Sequence, residues 1–180
     1  MRYLVTGFEP FADHAVNPSA EFVRGLTLPE CEKVVFPVAY DKTSEMLEPI
    51  PWDKYDFVFL FGLAADRNDI CFERVALNWI ESSIKDNLGK HPIPQSIDPY
   101  ASQALINRLP IEQWVADLHR NSFQVKISHS AGAYLCNYLY FRVMQKTSKA
   151  LFIHIPKDVA LDRLQAMLQE LLKLVNPAML

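Results

Sequence analysis

Phe57-Val-Phe-Leu-Phe61 is a run of five apolar residues that no charged or polar side chain interrupts. A short run of β-branched and aromatic residues is typical of a strand buried on both faces of a sheet. Four further short runs predict strands, over residues 3–6, 33–38, 124–127 and 151–154.

Helical patterns lie between these runs. The clearest follows Asp158, and its apolar residues recur at steps of three and four: Leu161, Leu164, Leu168, Leu171, Leu172 and Val175. A second helix is predicted from about residue 132 to 146, and weaker ones follow Asn17, Asp41 and Ile111. The alternation predicts an α/β three-layer sandwich, in which a twisted, mostly parallel mixed sheet carries helices on both faces. For 180 residues we expect one domain, over residues 1–180.

The apolar residues within 82–99 recur with neither a helical nor a strand period. The run Asp86-Asn87-Leu88-Gly89 and the prolines at 92, 94 and 99 punctuate them. We predict a long loop, and such loops in compact domains tend to be functional or mobile.

Composition argues against several function classes. The 18 basic and 21 acidic residues give a net charge of −3 without a long run of one sign, which disfavours a nucleic-acid or acidic-membrane surface. Cys31, Cys71 and Cys136 are widely spaced, and no signal-peptide pattern opens the chain, so we expect a reducing cytoplasm. No apolar run approaches the length of a membrane-spanning helix.

Neither a glycine-rich phosphate loop nor a metal site is predicted. The five glycines match no Walker or Rossmann spacing. The five histidines never pair with cysteine or carboxylate at metal-ligand spacing. We therefore expect no metal and no cofactor.

Cys136 follows a predicted strand and a turn of small residues, at the start of a predicted helix. The partial positive charge of a helix amino terminus favours the thiolate that a nucleophile needs. An arbitrary cysteine is more often a small buried hydrophobe, however, and both interpretations stay open. Cys31 and Cys71 lack such a setting and are taken as structural.

His154 and Glu73 are further candidates. His154 ends a predicted strand, and parallel sheets place catalytic groups at the carboxyl ends of their strands, although a core histidine is an equal alternative. Glu73 lies in an otherwise apolar run and must be paired, because an unpaired buried carboxylate is costly. Its partner is Arg74, Arg67 or a histidine that it orients.

Phe8 and Phe11 lie in Gly7-Phe-Glu-Pro-Phe11, directly after the first predicted strand. Two aromatic residues in a loop at a strand end form either an apolar ligand wall or a hydrophobic plug under the loop.

Together these segments resemble the pyroglutamyl peptidase I family, the pyrrolidone-carboxylate peptidases. The matching pieces occur in the family's order over about residues 3–156: Val5-Thr-Gly-Phe-Glu-Pro-Phe11, Asn17-Pro-Ser19, Gly62-Leu-Ala64 with Arg67, Glu73-Arg74 through Asn78, Asp86-Asn87 with Gly89, Ser130-Ala-Gly132 through Cys136-Asn137, and Phe152-Ile-His-Ile-Pro156. The resemblance implies a phosphorylase/hydrolase-like sandwich and a cysteine exopeptidase. Such an enzyme hydrolyses the amide bond after an N-terminal pyroglutamyl residue through a thioester, without metal or cofactor.

The resemblance also implies roles for individual residues. A catalytic triad carries over onto Cys136, His154 and Glu73. The substrate-binding positions that it implies are Phe8, Phe11, Val38, Ile84, Tyr134 and Leu135. The implied partners are peptides with N-terminal pyroglutamate, with no nucleic acid and no membrane, and a homo-oligomer, dimer or tetramer, is compatible with the family.

The chain departs from the family at several positions. Ala12-Asp13 and Ala65-Asp66 stand where the family usually has glycine pairs or Pro-Gly, and Ser83 stands where it usually has an arginine near the active site. These departures keep an alternative open, a degraded homologue that is a low-activity or non-catalytic binder of pyroglutamyl or lactam ligands. A phosphorylase or nucleoside hydrolase on a similar sandwich is a further alternative, because fold does not determine function.

Overall fold

The computed structural model describes residues 1–175, so positions 176–180 of the predicted domain lie outside the described residues. Within residues 1–175 there are eight strands: β1 (Tyr3–Phe8), β2 (Cys31–Phe36), β3 (Phe57–Leu63), β4 (Ile70–Glu73), β5 (Val75–Leu77), β6 (Ala104–Ile106), β7 (Val125–Ser128) and β8 (Ala150–Ile155). The same residues contain five α-helices: α1 (Pro18–Gly25), α2 (Tyr40–Leu47), α3 (Ile111–Arg120), α4 (Leu135–Met144) and α5 (Leu161–Leu174).

Six of the strands form one sheet in the order β2-β1-β3-β8-β4-β7. Strands β2, β1, β3 and β8 run parallel to one another. Strand β4 pairs antiparallel with β8 and parallel with β7, and β5 and β6 form a separate antiparallel hairpin. The predicted α/β fold with a mostly parallel mixed sheet is confirmed.

Alternate residues of the central strand β3 point to opposite faces of the sheet. Phe57, Phe59 and Phe61 pack in one core with α1, α3 and α5, whereas Val58 and Leu60 pack in a second core with α2 and α4. Helices thus cover both faces, as predicted. Because both faces are buried, β3 has no polar position, which explains its unbroken apolar run.

Some elements differ from the predictions. Strand β2 ends before Pro37, which has no N–H to donate to a ladder. Strand β4 was not predicted because only three apolar residues, Ile70-Cys-Phe72, precede the charged Glu73 at its end. The helix predicted from about residue 132 begins instead at Leu135, because the φ angle of 79° at Gly132 is not helical.

The predicted long loop is also confirmed. Residues 82–99 contain neither helix nor strand, and one bridge between Ile80 and Gln95 ties them to the preceding chain. Across residues 1–175, no helix combines the length and apolar character that crossing a membrane requires.

Candidate active site

Cys136 lies in the first turn of α4, as the sequence predicts. The turn before this helix is held by Arg67, which donates from Nη2 to the carbonyl of Ser130 at 3.0 Å. The helix start is held by Asn137, whose side-chain amide accepts the N–H of Leu77 and donates to its carbonyl, both at 2.8 Å. The thiol is therefore fixed by contacts on both sides of the turn.

Gly62 brings the thiol close to His154. On β3, Gly62 is the register partner of His154 on β8. A Cβ atom on Gly62 would lie only 2.8 Å from Cys136 Sγ, so the sulfur rests directly on the Gly62 backbone. Within the described residues Cys136 and His154 form no hydrogen bond to each other, but both line the same cleft.

Glu73 and His154 form a hydrogen bond in the interior. Nδ1 of His154 lies 2.7 Å from Oε1 of Glu73, and the two residues are 4% and 0% exposed. Cys71 is the antiparallel register partner of His154, so Glu73 is its diagonal neighbour on the same face. An ionised carboxylate can only accept, so Nδ1 carries the proton and Nε2 is left as the basic nitrogen.

Arg67 is the second partner of Glu73. Its Nη1 donates to the same carboxylate oxygen at 2.7 Å. Arg74, the other arginine that the sequence allowed, pairs instead with Glu112 and donates to the carbonyl of Asn107. Glu73 thus forms hydrogen bonds with both an arginine and a histidine, partners that the sequence offered as alternatives.

The charge state of the site follows from burial and these contacts. Burial alone would raise the pKa of Glu73, but His154, together with Ser128 and Arg67, holds that pKa below its usual value. Burial raises the pKa of the Cys136 thiol to about 12; the charge of Glu73 adds to this shift and Arg67 opposes it. Burial thus acts against the thiolate that the helix terminus is expected to favour, so the attack relies on a base that removes the thiol proton.

An apolar pocket opens beside Cys136. Eight residues line it: Phe8, Phe11, Asn17, Val38, Leu63, Tyr134, Leu135 and Cys136. Five of the six predicted substrate-binding positions are among them, and the sixth, Ile84, lines the adjoining cleft. Asn17 and Leu63 were not predicted as pocket residues, although both lie in segments that match the family pattern. Asn17 caps α1 by accepting the Ser19 N–H at 3.1 Å.

A wider cleft of about 340 Å³ holds the polar groups. Its lining residues are Phe11, His14, Leu63, Ala64, Ala65, Asp66, Arg67, Ile84, Ala131, Gly132, Tyr134, Cys136 and His154. Four of them also line the apolar pocket: Phe11, Leu63, Tyr134 and Cys136. The narrow pocket, of about 20 Å³, and the cleft therefore meet at the thiol.

The long loop ties the walls of the apolar pocket together. The N–H of Asn87 donates to the carbonyl of Val38 at 2.8 Å, and its side chain donates to the carbonyl of Pro10 at 2.9 Å. The hydroxyl of Tyr134 donates to the carbonyl of Lys85 at 3.1 Å. Three separate segments of the pocket are thus held by one part of the loop.

Comparison with known proteins identifies the family. The family model described as pyroglutamyl peptidase matches residues 1–165. The chain belongs to the pyroglutamyl peptidase family. Pyrrolidone-carboxylate peptidase 2 of Caldanaerobacter subterraneus subsp. tengcongensis is 35% identical over 167 residues, covering 87% of this chain and 81% of the relative. The pyrrolidone-carboxylate peptidase of Pyrococcus furiosus is 36% identical over 168 residues, again covering 87% and 81%. The crystal structure of pyrrolidone carboxyl peptidase from Thermus thermophilus matches with a TM-score of 0.87 and 29% identity, over 95% of this chain and 98% of that one.

The resemblance to the pyroglutamyl peptidase family is therefore confirmed, and with it the assignment to the cysteine peptidases. The relatives support the peptidase and not the alternative of a degraded, non-catalytic binder. The roles of individual residues stay predictions.

The structure shows where two departures from the pyroglutamyl peptidase family pattern lie, at Ala12 and at Ser83. Ala12 has a φ of 50°, in the left-handed region that glycine adopts freely and alanine at a cost of about 1 kcal/mol. The loop that carries Phe8 and Phe11 thus keeps a turn suited to glycine. Ser83 is exposed and lines neither the apolar pocket nor the cleft.

Proposed function

We propose that this chain is a cysteine exopeptidase that hydrolyses the amide bond after an N-terminal pyroglutamyl residue. In this proposal Cys136 is the nucleophile, His154 its base and Glu73 the residue that orients the base. One observation carries the proposal: Cys136 lies where the apolar pocket meets the cleft that holds His154. A ring in the pocket therefore presents its exocyclic carbonyl to the sulfur.

The apolar lining of the pocket suits the pyroglutamyl ring, and the walls must move apart to admit it, because about 20 Å³ holds roughly one water molecule. Pyroglutamate is a cyclised residue without a free amine, so it needs apolar walls and few hydrogen bonds. We assign Phe8, Phe11, Val38, Tyr134 and Leu135 to these walls and Ile84 to the adjoining edge. In the described part of the chain no charged side chain lines the pocket, so an ammonium group there would lose its hydration without a counter-charge.

The proposed reaction is acyl transfer in two steps. Nε2 of His154 takes the thiol proton while the sulfur attacks the carbonyl carbon, and the imidazolium returns this proton to the departing amine. The C–N bond breaks and a thioester to Cys136 remains. Water, deprotonated by the same nitrogen, then attacks the thioester carbonyl. The C–S bond breaks, pyroglutamate leaves, and the proton on Nε2 returns to the Cys136 sulfur. Glu73 accepts from Nδ1 throughout and stabilises the transient imidazolium.

The first turn of α4 supplies the donors for the oxyanion. The first N–H groups of a helix have no carbonyl partner within the helix. The N–H of Cys136 lies in this turn, beside the carbonyl that its own sulfur attacks. Loss of one such donor typically lowers kcat by about 10²–10³-fold.

The direct test compares two arylamides of the same ring size. We expect the purified protein to hydrolyse a pyroglutamyl arylamide and to cleave the prolyl arylamide at least about 100-fold more slowly, because proline carries a charged amine in place of the lactam amide. Both rates are measured from arylamine release under identical conditions. Equal rates, or no release of pyroglutamate, would contradict the proposal.

Replacing Gly62 with alanine is expected to lower kcat/KM for the pyroglutamyl arylamide by about 100-fold. The new methyl group would lie 2.8 Å from both Cys136 Sγ and Phe152 Cζ, so the sulfur must move from its place in the cleft that His154 also lines. Gly25→Ala is the matched control, because a Cβ there meets nothing within 4 Å. Wild-type kcat/KM in a folded Gly62→Ala protein would show that the sulfur's contact with Gly62 does not matter.

Partners and location complete the proposal. We propose peptides with an N-terminal pyroglutamyl residue as substrates, a homo-oligomeric state and a cytoplasmic location. All three cysteines are free thiols, a state that a reducing compartment preserves.

A further inference from the structure

The positions of the two cavities indicate how a peptide substrate lies across the site. The apolar pocket and the cleft meet at Cys136, and in the proposed function the pyroglutamyl ring occupies the pocket. The amide nitrogen and the residue after it must then leave on the other side of the sulfur, into the cleft of about 340 Å³. The side chains of that cleft are therefore the ones that meet the leaving group.

The cleft wall discriminates little by size. Much of its lining is small: Ala64, Ala65, Ala131 and Gly132. Such a wall leaves room for side chains of very different volume. Selection between leaving groups therefore falls to the charged groups that line the cleft, which are Asp66 and Arg67. The other titratable side chains of the lining are His14, Tyr134, Cys136 and His154.

The positive charge of Arg67 is already paired within the protein. Its guanidinium donates to the Glu73 carboxylate and to the Ser130 carbonyl. Asp66, in contrast, is exposed and forms no salt bridge within residues 1–175. Lys85 follows Ile84 on the rim but is not among the lining residues. The uncompensated charge of the cleft is therefore negative.

We propose that Asp66 makes the enzyme prefer peptides with a cationic residue directly after pyroglutamate over peptides with an acidic one. This inference rests on the proposed function. An exposed charge pair contributes modestly, so we expect kcat/KM for a lysine in that position to exceed that for a glutamate by about twofold to fivefold at low ionic strength. Near 1 M salt, where the screening length is about 3 Å, the preference should disappear.

The experiment measures pyroglutamate release from three dipeptide amides at one fixed pH, so that His14 has the same charge throughout. The substrates are pyroglutamyl-lysine, pyroglutamyl-glutamine and pyroglutamyl-glutamate amide. Asp66→Asn should bring the lysine-to-glutamate ratio of kcat/KM close to one, and Asp66→Lys should invert it. Asp53→Asn is the matched control, because Asp53 is exposed before β3, at the opposite end of the strand from the site, and its loss should leave the ratio unchanged.

The outcomes separate this inference from the proposed function. If none of the three amides is cleaved, the proposed function fails. If the glutamine substrate is cleaved but the wild-type ratio is one, or Asp66→Asn leaves the ratio unchanged, only the role of Asp66 fails. A preference that persists undiminished at 1 M salt also overturns that role, because screening would abolish an electrostatic preference.

Discussion

Replacing Cys136 with serine is expected to lower kcat for pyroglutamyl arylamide hydrolysis by about 10³-fold or more. The hydroxyl oxygen fits the space against Gly62, so the site stays packed and KM changes little. An alcohol is a much weaker nucleophile than a thiol, and His154 cannot generate an alkoxide as readily as a thiolate. Steady-state kinetics of wild type and variant, prepared in parallel, give the measurement.

Cys31→Ser provides the matched control. Cys31 is a half-buried thiol on β2, an edge strand of the sheet, and its replacement should leave kcat within about twofold. Cys71 is a poorer control because it is the register partner of His154. A folded Cys136→Ser protein with wild-type kcat would mean that another group attacks the carbonyl.

The fold was predictable where strands are long and buried on both faces. Strand β3 shows this best, since an unbroken apolar run is typical of a strand between two helical layers. Strand β4 was not predictable from its own residues. Its Glu73 is acceptable inside the protein only because Arg67, six residues earlier, and His154, 81 residues later, pair with it.

The candidate site was predictable from motif order rather than from residue patterns. The sequence pattern allowed three kinds of partner for Glu73: Arg74, Arg67 or a histidine. It could not decide between them, because the partner depends on which strand lies beside β4. The role of Gly62 could not be predicted from the sequence for a similar reason. Nothing in the residues near Gly62 reveals that a sulfur from α4 would rest on its backbone. The rise that burial gives to the pKa of the Cys136 thiol could not be predicted either, since the local argument from the helix terminus omits burial.

Replacing Glu73 with glutamine is expected to lower kcat by about 10²–10⁴-fold with little change in KM. The substitution removes the charge that stabilises the imidazolium of His154 during proton transfer, and it leaves Arg67 beside a neutral amide. KM should hold because Glu73 does not line the apolar pocket. The second carboxylate oxygen, Oε2, has no partner within the described residues, although a rotation of the Ser128 hydroxyl away from the Ser130 carbonyl would supply one.

The same substitution should change the pH dependence of stability. The pKa of Glu73 is held below its usual value in the folded state. Its contribution to the free energy of unfolding is therefore fully present above the unfolded value of about 4.3 and is lost as the pH falls through the folded pKa. The stability gap between wild type and Glu73→Gln should be large at about pH 7 and smaller at about pH 3.5. Urea denaturation at both pH values measures it.

Glu112→Gln is the control for Glu73→Gln. It tests whether the loss of any carboxylate that pairs with an arginine lowers kcat, or only the loss of one that also orients His154. Glu112 pairs with Arg74, but its side chain is 71% exposed, so its loss should leave kcat within about twofold and the stability almost unchanged. If Glu73 only neutralised Arg67, its substitution would cost stability without a selective loss of kcat. If Glu73 orients His154, its substitution lowers kcat and leaves KM almost unchanged. Wild-type kcat in Glu73→Gln, or a stability gap that widens in acid, would rule out the proposed role of Glu73.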